Sequence, residues 1–382
     1  MKYGRRIIYL TGFLFSIPMA LTSYVNSSFL LNSVGEYCLG IIYIIASIIT
    51  IIGLFQMPKI LTAIGNRMMA ILFSLLLLLS FITLSIGREV FVVILAFIVY
   101  FVSANLIVAS LDIFIEDFSK NYQTGKIRGI YLTIINFAWV VAQLISGSVI
   151  AKSSFNGIYL LGALFIALVS VIFILFFRDF KNPKYKRAPV LKTIKFFVQN
   201  KNFSKIYLIN LILKLFYAWM IIYTPIYLHQ YIGFGWSEIG IIFSIMLIPF
   251  VILDFPLGKL ADKIGEKKIL QFGFLIIAAS TLMIPLIKTP TIFLWALILF
   301  FTRVGAATVE IMSESYFFRT VNEEDDGLIS FFRNTTPVSY IIGPILAISV
   351  FLLIPSFEYI FLVLSAIMFF GFLVSLRIKN TK

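Results

Sequence analysis

The feature that most restricts this chain is a recurring one: apolar runs long enough to cross a bilayer, separated by short segments in which the basic residues collect. A helix rises ~1.5 Å per residue and the hydrocarbon layer is ~30 Å thick, so about 20 apolar residues make one crossing. Such runs fall at about 7–31, 37–58, 67–86, 90–114, 127–150 and 156–177. Six more follow at about 204–230, 236–258, 267–287, 291–314, 327–353 and 356–377. Hydrophobic residues make up 61% of the chain and charged residues 13%, against roughly 25% charged in a soluble domain. That little polar surface cannot cover the apolar groups in water, so the bilayer is the solvent and the expected fold is all-α and integral to the membrane. Lys2, Arg5 and Arg6 before an apolar stretch look like the start of a signal peptide, but the stretch runs past Pro18 to about Leu31. That is too long for a signal core, so an uncleaved first membrane helix is expected.

The basic residues test this count independently. With the N-terminus in the cytoplasm, 25 of the 31 Lys and Arg fall in segments on the inner side, whereas only Arg88, Lys152 and Lys288 fall outside. Lys214, Arg303 and Arg333 lie within runs. A wrong number of crossings would move every later segment to the other face and scramble the alternation. The reading is therefore twelve crossings of the inner (plasma) membrane with both termini cytoplasmic. The formal charge of +14 is explained by topology and contact with anionic lipid headgroups, and no nucleic-acid partner is expected. One cysteine, Cys38, and one histidine, His229, exclude an intrachain disulfide and a Cys/His metal cluster. His229 is expected at the membrane interface, and no metal or cofactor is anticipated.

The basic segment 178–203, with Pro183 and Pro189, divides the chain into halves at 1–177 and 204–382. Within it, residues 190–200 fit either a short amphipathic helix on the inner leaflet or a solvated linker. The halves repeat each other. A shift of 200 pairs Gly35 with Gly235, Gly40 with Gly240, Lys59 with Lys259 and Gly65 with Gly265. A shift of 198 pairs Asp112 with Glu310, Glu116 with Glu314, Gly129 with Gly327 and Asn136 with Asn334. Chance matches among Ile, Leu and Phe are common in such sequence, so the glycine and polar pairs carry the argument. Six runs per half is an even number, so both halves insert in the same orientation, as two pseudo-symmetric six-helix bundles.

Between the eighth and ninth runs stands Gly258-Lys259-Leu260-Ala261-Asp262-Lys263-Ile264-Gly265-Glu266-Lys267-Lys268. It resembles the signature loop of the major facilitator superfamily, G-x-L-a-D-r-x-G-r-k, at Gly258, Leu260, Asp262, Lys263, Gly265 and Lys267, and departs from it at Glu266, where a base is usual. The first-half copy, Pro58 to Arg67, has Thr62 in place of the acid. Gly258 and Gly265 are expected to permit a tight turn at a helix end. Asp262 is an acid suited to a helix N-terminus. The resemblance implies that its target is the start of the fifth run, Gly125 to Arg128, in a lock on the cytoplasmic side. In the first half Lys59 and Arg67 face the possibility of pairing with the acids Glu323, Glu324, Asp325 and Asp326, an exchange of polarity across the second lock. Arg303-Val304-Gly305-Ala306-Ala307 resembles the family's Arg-plus-Gly helix motif, but in the tenth run rather than the fourth. Gly-Pro occurs at Gly343-Pro344 rather than in the fifth run, where only Ser146-Gly147 stands. This departs from the drug-antiporter pattern.

Ionisable groups inside spans are costly, which makes each a functional candidate. Counting along the runs, Lys214 lies about 15 Å and Arg303 about 18 Å from their starts, near the midplane. Asp112, Glu116, Asp254, Glu310, Glu314 and Arg333 lie toward the inner ends. Asp112 and Glu116, like Glu310 and Glu314, are spaced i,i+4 and share a face. Arg128 and Arg333 are their expected partners in inner-gate ion pairs, with Glu310 the best candidate for carrying a proton. The resemblance implies that the first, fourth, seventh and tenth helices line a central cavity. The candidate substrate contacts are then Arg303, Lys214, Asn26, Asn105, Asn210, Tyr217 and Tyr223, with Asn105 the repeat counterpart of Arg303.

The function implied is secondary transport of a small solute by alternating access. The substrate is expected to be anionic or zwitterionic, the coupling to use an ion or proton, and the carrier to act as a monomer. No G-x-x-x-x-G-K-S/T loop is present to bind ATP. A lipid flippase on the same fold is the competing reading; a membrane enzyme would need a polar catalytic cluster that one His and one Cys do not supply. Reporter fusions should place residues near 186 and 380 in the cytoplasm and residues near 88, 152 and 288 outside; an odd number of crossings would refute the topology.

Overall fold

The computed structural model describes residues 4–119, 124–178, 180, 182, 190–320, 326–354 and 356–379, and among them the regular structure is helical. The chain forms two compact units, residues 1–187 with 235–240 and residues 188–234 with 241–382. In the first unit α1 spans Gly4–Ser23, α2 Asn26–Val34, α3 Glu36–Ile86, α4 Val90–Ser119 and α5 Thr124–Phe176. In the second, α6 is Val190–Gln199, α7 Lys201–Ile222 and α8 Thr224–Ile226, followed by a π-helical turn at Tyr227–Tyr231. Next come α9 (Trp236–Ile252), which begins among the residues of the first unit, α10 (Asp254–Ile264) and α11 (Glu266–Met283). The chain then continues through α12 (Ile292–Thr320), α13 (Asp326–Arg333), α14 (Thr335–Leu353) and α15 (Tyr359–Leu376).

Nine helical segments among the described residues are long and apolar enough to cross a membrane, and α9 is a shorter apolar helix. Two of the nine, Cys38–Ile86 and Ile130–Phe176, are 49 and 47 residues long, well beyond the ~20 that one crossing needs. Each contains a break. Gly65 interrupts α3 at φ 76°, ψ 165°, and Ser154 interrupts α5 at φ 61°, ψ −170°. Gly65 and its repeat partner Gly265 (φ 79°) hold left-handed backbone that a side chain would strain.

The helices are arranged for hydrocarbon. Large apolar side chains face outward, with Phe293 76% and Leu353 82% exposed. The interiors hold hydroxyls and amides: Thr22, Asn66, Ser110, Ser170 and Thr302 are all buried. Most of these hydroxyls bond a carbonyl three or four residues back, as Thr50 does to Ala46 (2.8 Å) and Ser170 to Ile166 (2.9 Å). Such bonds satisfy a polar group that has no water to turn to.

The structure corrects several expectations. The signature segment is not a turn from Gly258 onward: α10 runs through it, and only Gly265 leaves the helical region. Asp262 lies in the last turn of α10; its side chain, on which the expected lock to the start of the fifth run depends, is outside the described residues, as are those of Glu116, Arg128 and Asp254. The first run is split at Tyr24 and Val25, and the eleventh at Asn334. The amphipathic segment is helical as α6, and its Phe197 is buried 4.7 Å from Phe331 and 5.7 Å from Phe203.

Close packing in the second unit depends on Gly305. A Cβ there would lie 2.6 Å from the Gly273 carbonyl oxygen and 2.8 Å from the Ile277 nitrogen, both backbone atoms of α11 that cannot step aside. Overpacking of this kind costs about 1–3 kcal/mol. Gly305→Leu is expected to lower the melting temperature and the monodisperse yield, while Gly258→Leu, where a Cβ meets nothing within 4 Å, leaves both unchanged; size-exclusion chromatography of heated samples compares them.

Candidate functional site

The second unit gathers three of the charges that the sequence places inside spans. Lys214 and Tyr217 are three residues apart on α7 and share a face; Arg303 and Glu310 are seven apart on α12 and nearly share one. α7 and α12 pack together, and their charged faces meet. Lys214 Nζ donates to Glu310 Oε1 at 2.6 Å, and the Tyr217 hydroxyl donates to Glu310 Oε2 at 3.0 Å. The Arg303 guanidinium is 1% exposed and lies 5.0 Å from the Phe216 ring centroid and 5.6 Å from that of Tyr217. Tyr217 thus touches all three charged groups: its ring faces Arg303 and, at 5.2 Å, Lys214, while its hydroxyl holds Glu310.

The magnitudes explain why these residues cluster. A single charge at a helix centre costs about 2.5–3.5 kcal/mol on insertion scales. An ion pair with a second hydrogen bond to the carboxylate offsets much of that, and an aromatic face contributes up to about 2 kcal/mol to a desolvated cation. The side chains of Lys214 and Glu310 are 19% and 27% exposed, so the pair is only partly sealed. Arg128 and Arg333 are the cations expected for the acid pairs; Lys214, from α7, is an additional cation that pairs with Glu310.

The other candidates are held in place by neighbours. Asn210, one turn from Lys214, donates to Thr335 Oγ1 at 2.9 Å and ties α7 to the start of α14. Tyr223 is buried among Trp219, Phe351 and Phe357. In the first unit Asn26 is buried, donating to the Tyr100 hydroxyl at 3.2 Å and accepting from that of Tyr159 at 2.8 Å. Asn105 is half-buried and bonds Phe101 O on its own helix at 2.8 Å. Asp112, Glu314, Arg333 and Lys267 are half-buried. Arg67 donates to the Ile174 carbonyl at 2.8 Å; the acids 323–325 and the Asp326 side chain, its expected partners, lie outside the described residues.

One residue was missed. Glu266, noted in the sequence only as a departure from the loop pattern, is fully buried at the first position of α11. Its Oε1 accepts from Ser315 Oγ at 3.0 Å and lies 3.1 Å from Arg319 Nε. An acid there suits the N-terminus of α11. Its repeat counterpart, Asn66, bonds Ser110 in the same place (2.7 and 3.0 Å). The signal was present: Arg319 is the single base between residues 304 and 332. Beyond the spans, Lys288 Nζ donates to Glu358 Oε1 at 2.8 Å; this bond holds the Glu358 carboxyl below its ordinary range and lifts the Lys288 ammonium above its own.

A polytopic helical membrane protein with ion-paired charge inside one bundle belongs to the class of membrane transporters, and comparison with known proteins agrees. A family model described as Major Facilitator Superfamily matches residues 8–336 and 227–382. The chain belongs to the major facilitator superfamily and is a transporter, not an enzyme. It is 24% identical over 121 residues to the multidrug efflux pump SdrM of Staphylococcus aureus (strain N315), a match spanning 31% of this chain and 26% of that pump. The fold is shared with a POT family transporter solved in complex with 5-aminolevulinic acid (TM-score 0.80, 12% identity, 98% of this chain and 95% of that one). A POT family transporter in complex with a thioalcohol conjugated peptide gives 0.78 at 12% identity, covering 98% and 95%. A structure from work on proton dependent oligopeptide transporters gives 0.75 at 10%, covering 98% of both chains.

Removing one partner of a partly sealed ion pair leaves the other charge uncompensated. Lys214→Met is expected to cost about 1–3 kcal/mol, and Lys214→Met with Glu310→Gln less than Lys214→Met alone. Thermal melting of the three proteins in one detergent checks the order.

Proposed function

We propose that the protein is a proton-coupled secondary transporter of a small anionic or zwitterionic solute. In this reading Glu310 carries the proton, Lys214 and Tyr217 hold its charged form, and Arg303 contacts the anionic group. The observation that carries it is the contact of Lys214 and Tyr217 with Glu310 beside a buried Arg303. A carboxylate in this position has two states to alternate between: charged and paired, or neutral with Lys214 released. Protonation of Glu310 would leave two cations, Lys214 and Arg303, facing the site, and an incoming anion would restore the balance. Loss of the proton would return Lys214 to Glu310 and release the solute. The proposal extends to the topology: twelve crossings, cytoplasmic termini, and two halves at 1–177 and 204–382 that rock about a midplane site in a monomer. The POT family neighbours, one of them solved with 5-aminolevulinic acid, support that zwitterion as the first solute to test.

In vesicles containing the purified chain, 5-aminolevulinic acid is expected to accumulate under an inward proton gradient. Glu310→Gln should retain solute counterflow while gradient-driven accumulation falls by about tenfold or more, and Arg303→Ala should weaken both. Normal gradient-driven accumulation by Glu310→Gln would refute the coupling role, and normal counterflow by Arg303→Ala would refute the anion contact. Movement of labelled lipid in place of the solute would favour a flippase.

A further inference from the structure

The first apolar run is not one helix. α1 stops at Ser23 and α2 starts at Asn26. The Val25 N–H turns back to Thr22 O at 3.0 Å, and regular pairing resumes with Phe29 N–H to Val25 O at 2.9 Å. Two helix ends therefore meet within the apolar stretch, a carbonyl end belonging to α1 and an N–H end belonging to α2.

The two ends are treated differently. The carbonyl end is supplied with donors from α5: Gln143 Nε2 reaches Ala20 O at 2.7 Å and Ser146 Oγ reaches Leu21 O at 3.0 Å. Ser23 Oγ adds a second bond to Ala20 O at 3.0 Å. The N–H end has no such supply. Val25 precedes it and provides no side-chain cap. The hydroxyls of Ser27 and Ser28, in the first turn of α2, are 0% and 5% exposed by residue and have no hydrogen-bond partner among the described residues. Many buried hydroxyls elsewhere bond a carbonyl three or four residues back, and those of Ser47 and Thr281 lack a partner singly, inside regular helix; Ser27 and Ser28 are two adjacent ones, and their fourth carbonyls back belong to Ser23 and Tyr24, in the broken turn. Asn26 is already committed to Tyr100 and Tyr159. The break thus holds a surplus of donors, with the positive end of the α2 dipole directed at the break.

The geometry points to a carboxylate-binding subsite at the N-terminus of α2, formed by the first-turn N–H groups and the hydroxyls of Ser27 and Ser28. A carboxylate is the fitting class because it accepts from several donors at once and its charge is stabilised by the helix end. The subsite lies within the first unit and goes beyond the reading above, on which it rests only for the occupant being a transported solute.

Saturation-transfer NMR on the purified full chain tests it with acetate and, as the neutral isostere, acetamide. Saturable binding of acetate but not acetamide is expected, with Ser27→Ala/Ser28→Ala weakening it about tenfold or more at an unchanged melting temperature. The two single variants serve if the double one does not fold. Arg303→Ala is measured in parallel. Acetate binding lost in Arg303→Ala but intact in the serine variants would overturn the subsite and leave the role of Arg303 standing. Loss in the serine variants alone, or in both, supports the subsite. An unmodified chain that binds neither probe, or both equally, overturns it.

Discussion

Hydrocarbon offers no hydrogen bonds, and the rest of this structure depends on that constraint. Where the helical ladder is interrupted inside a unit, side chains from neighbouring helices supply partners to the freed carbonyls. The break at Tyr24 and Val25 is matched by Gln143 and Ser146; Asn66, after the kink at Gly65, is matched by Ser110. Trp219 likewise donates across to Gly343 O on α14 at 2.6 Å. These side chains are polar residues on apolar runs, and their positions follow the interruptions.

The same constraint governs charge. Lys214, Arg303 and Glu310 would each be expensive alone in a span. Bringing Lys214 to Glu310 and covering Arg303 with two aromatic rings turns three liabilities into one site. A pair that is only partly sealed is easier to separate than one fully buried, because the charge left behind regains some solvent. That is the property a coupling pair requires. Glu266, Ser315 and Arg319 show the contrasting case: the carboxylate is fully buried and fixed at a helix start.

The sequence alone made the membrane solvent, the helical class and the sites of most candidate spans legible, since these follow from composition and run length. Arg303, Lys214 and Glu310 were also visible as charges where charges are costly. What pairing they adopt was not, because depth along a run does not say which helices adjoin or at what height. Lys214 was therefore not foreseen as the partner of Glu310, and Glu266 was passed over, since its partner Arg319 stands 53 positions away in the chain. The signature segment was read as a turn from its glycines, yet Gly258 is accommodated inside α10 with open space around it.

Local chemistry thus determined what each segment is: apolar length marks the spans, and polar, basic stretches mark the connections between them. Only the tertiary structure decided which polar atoms meet, because contact between α7 and α12, or between α1 and α5, depends on helix rotation and height that no local pattern encodes. The donor surplus at the start of α2 belongs to this second kind. It arises from a break whose carbonyl half found partners on α5 and whose N–H half did not.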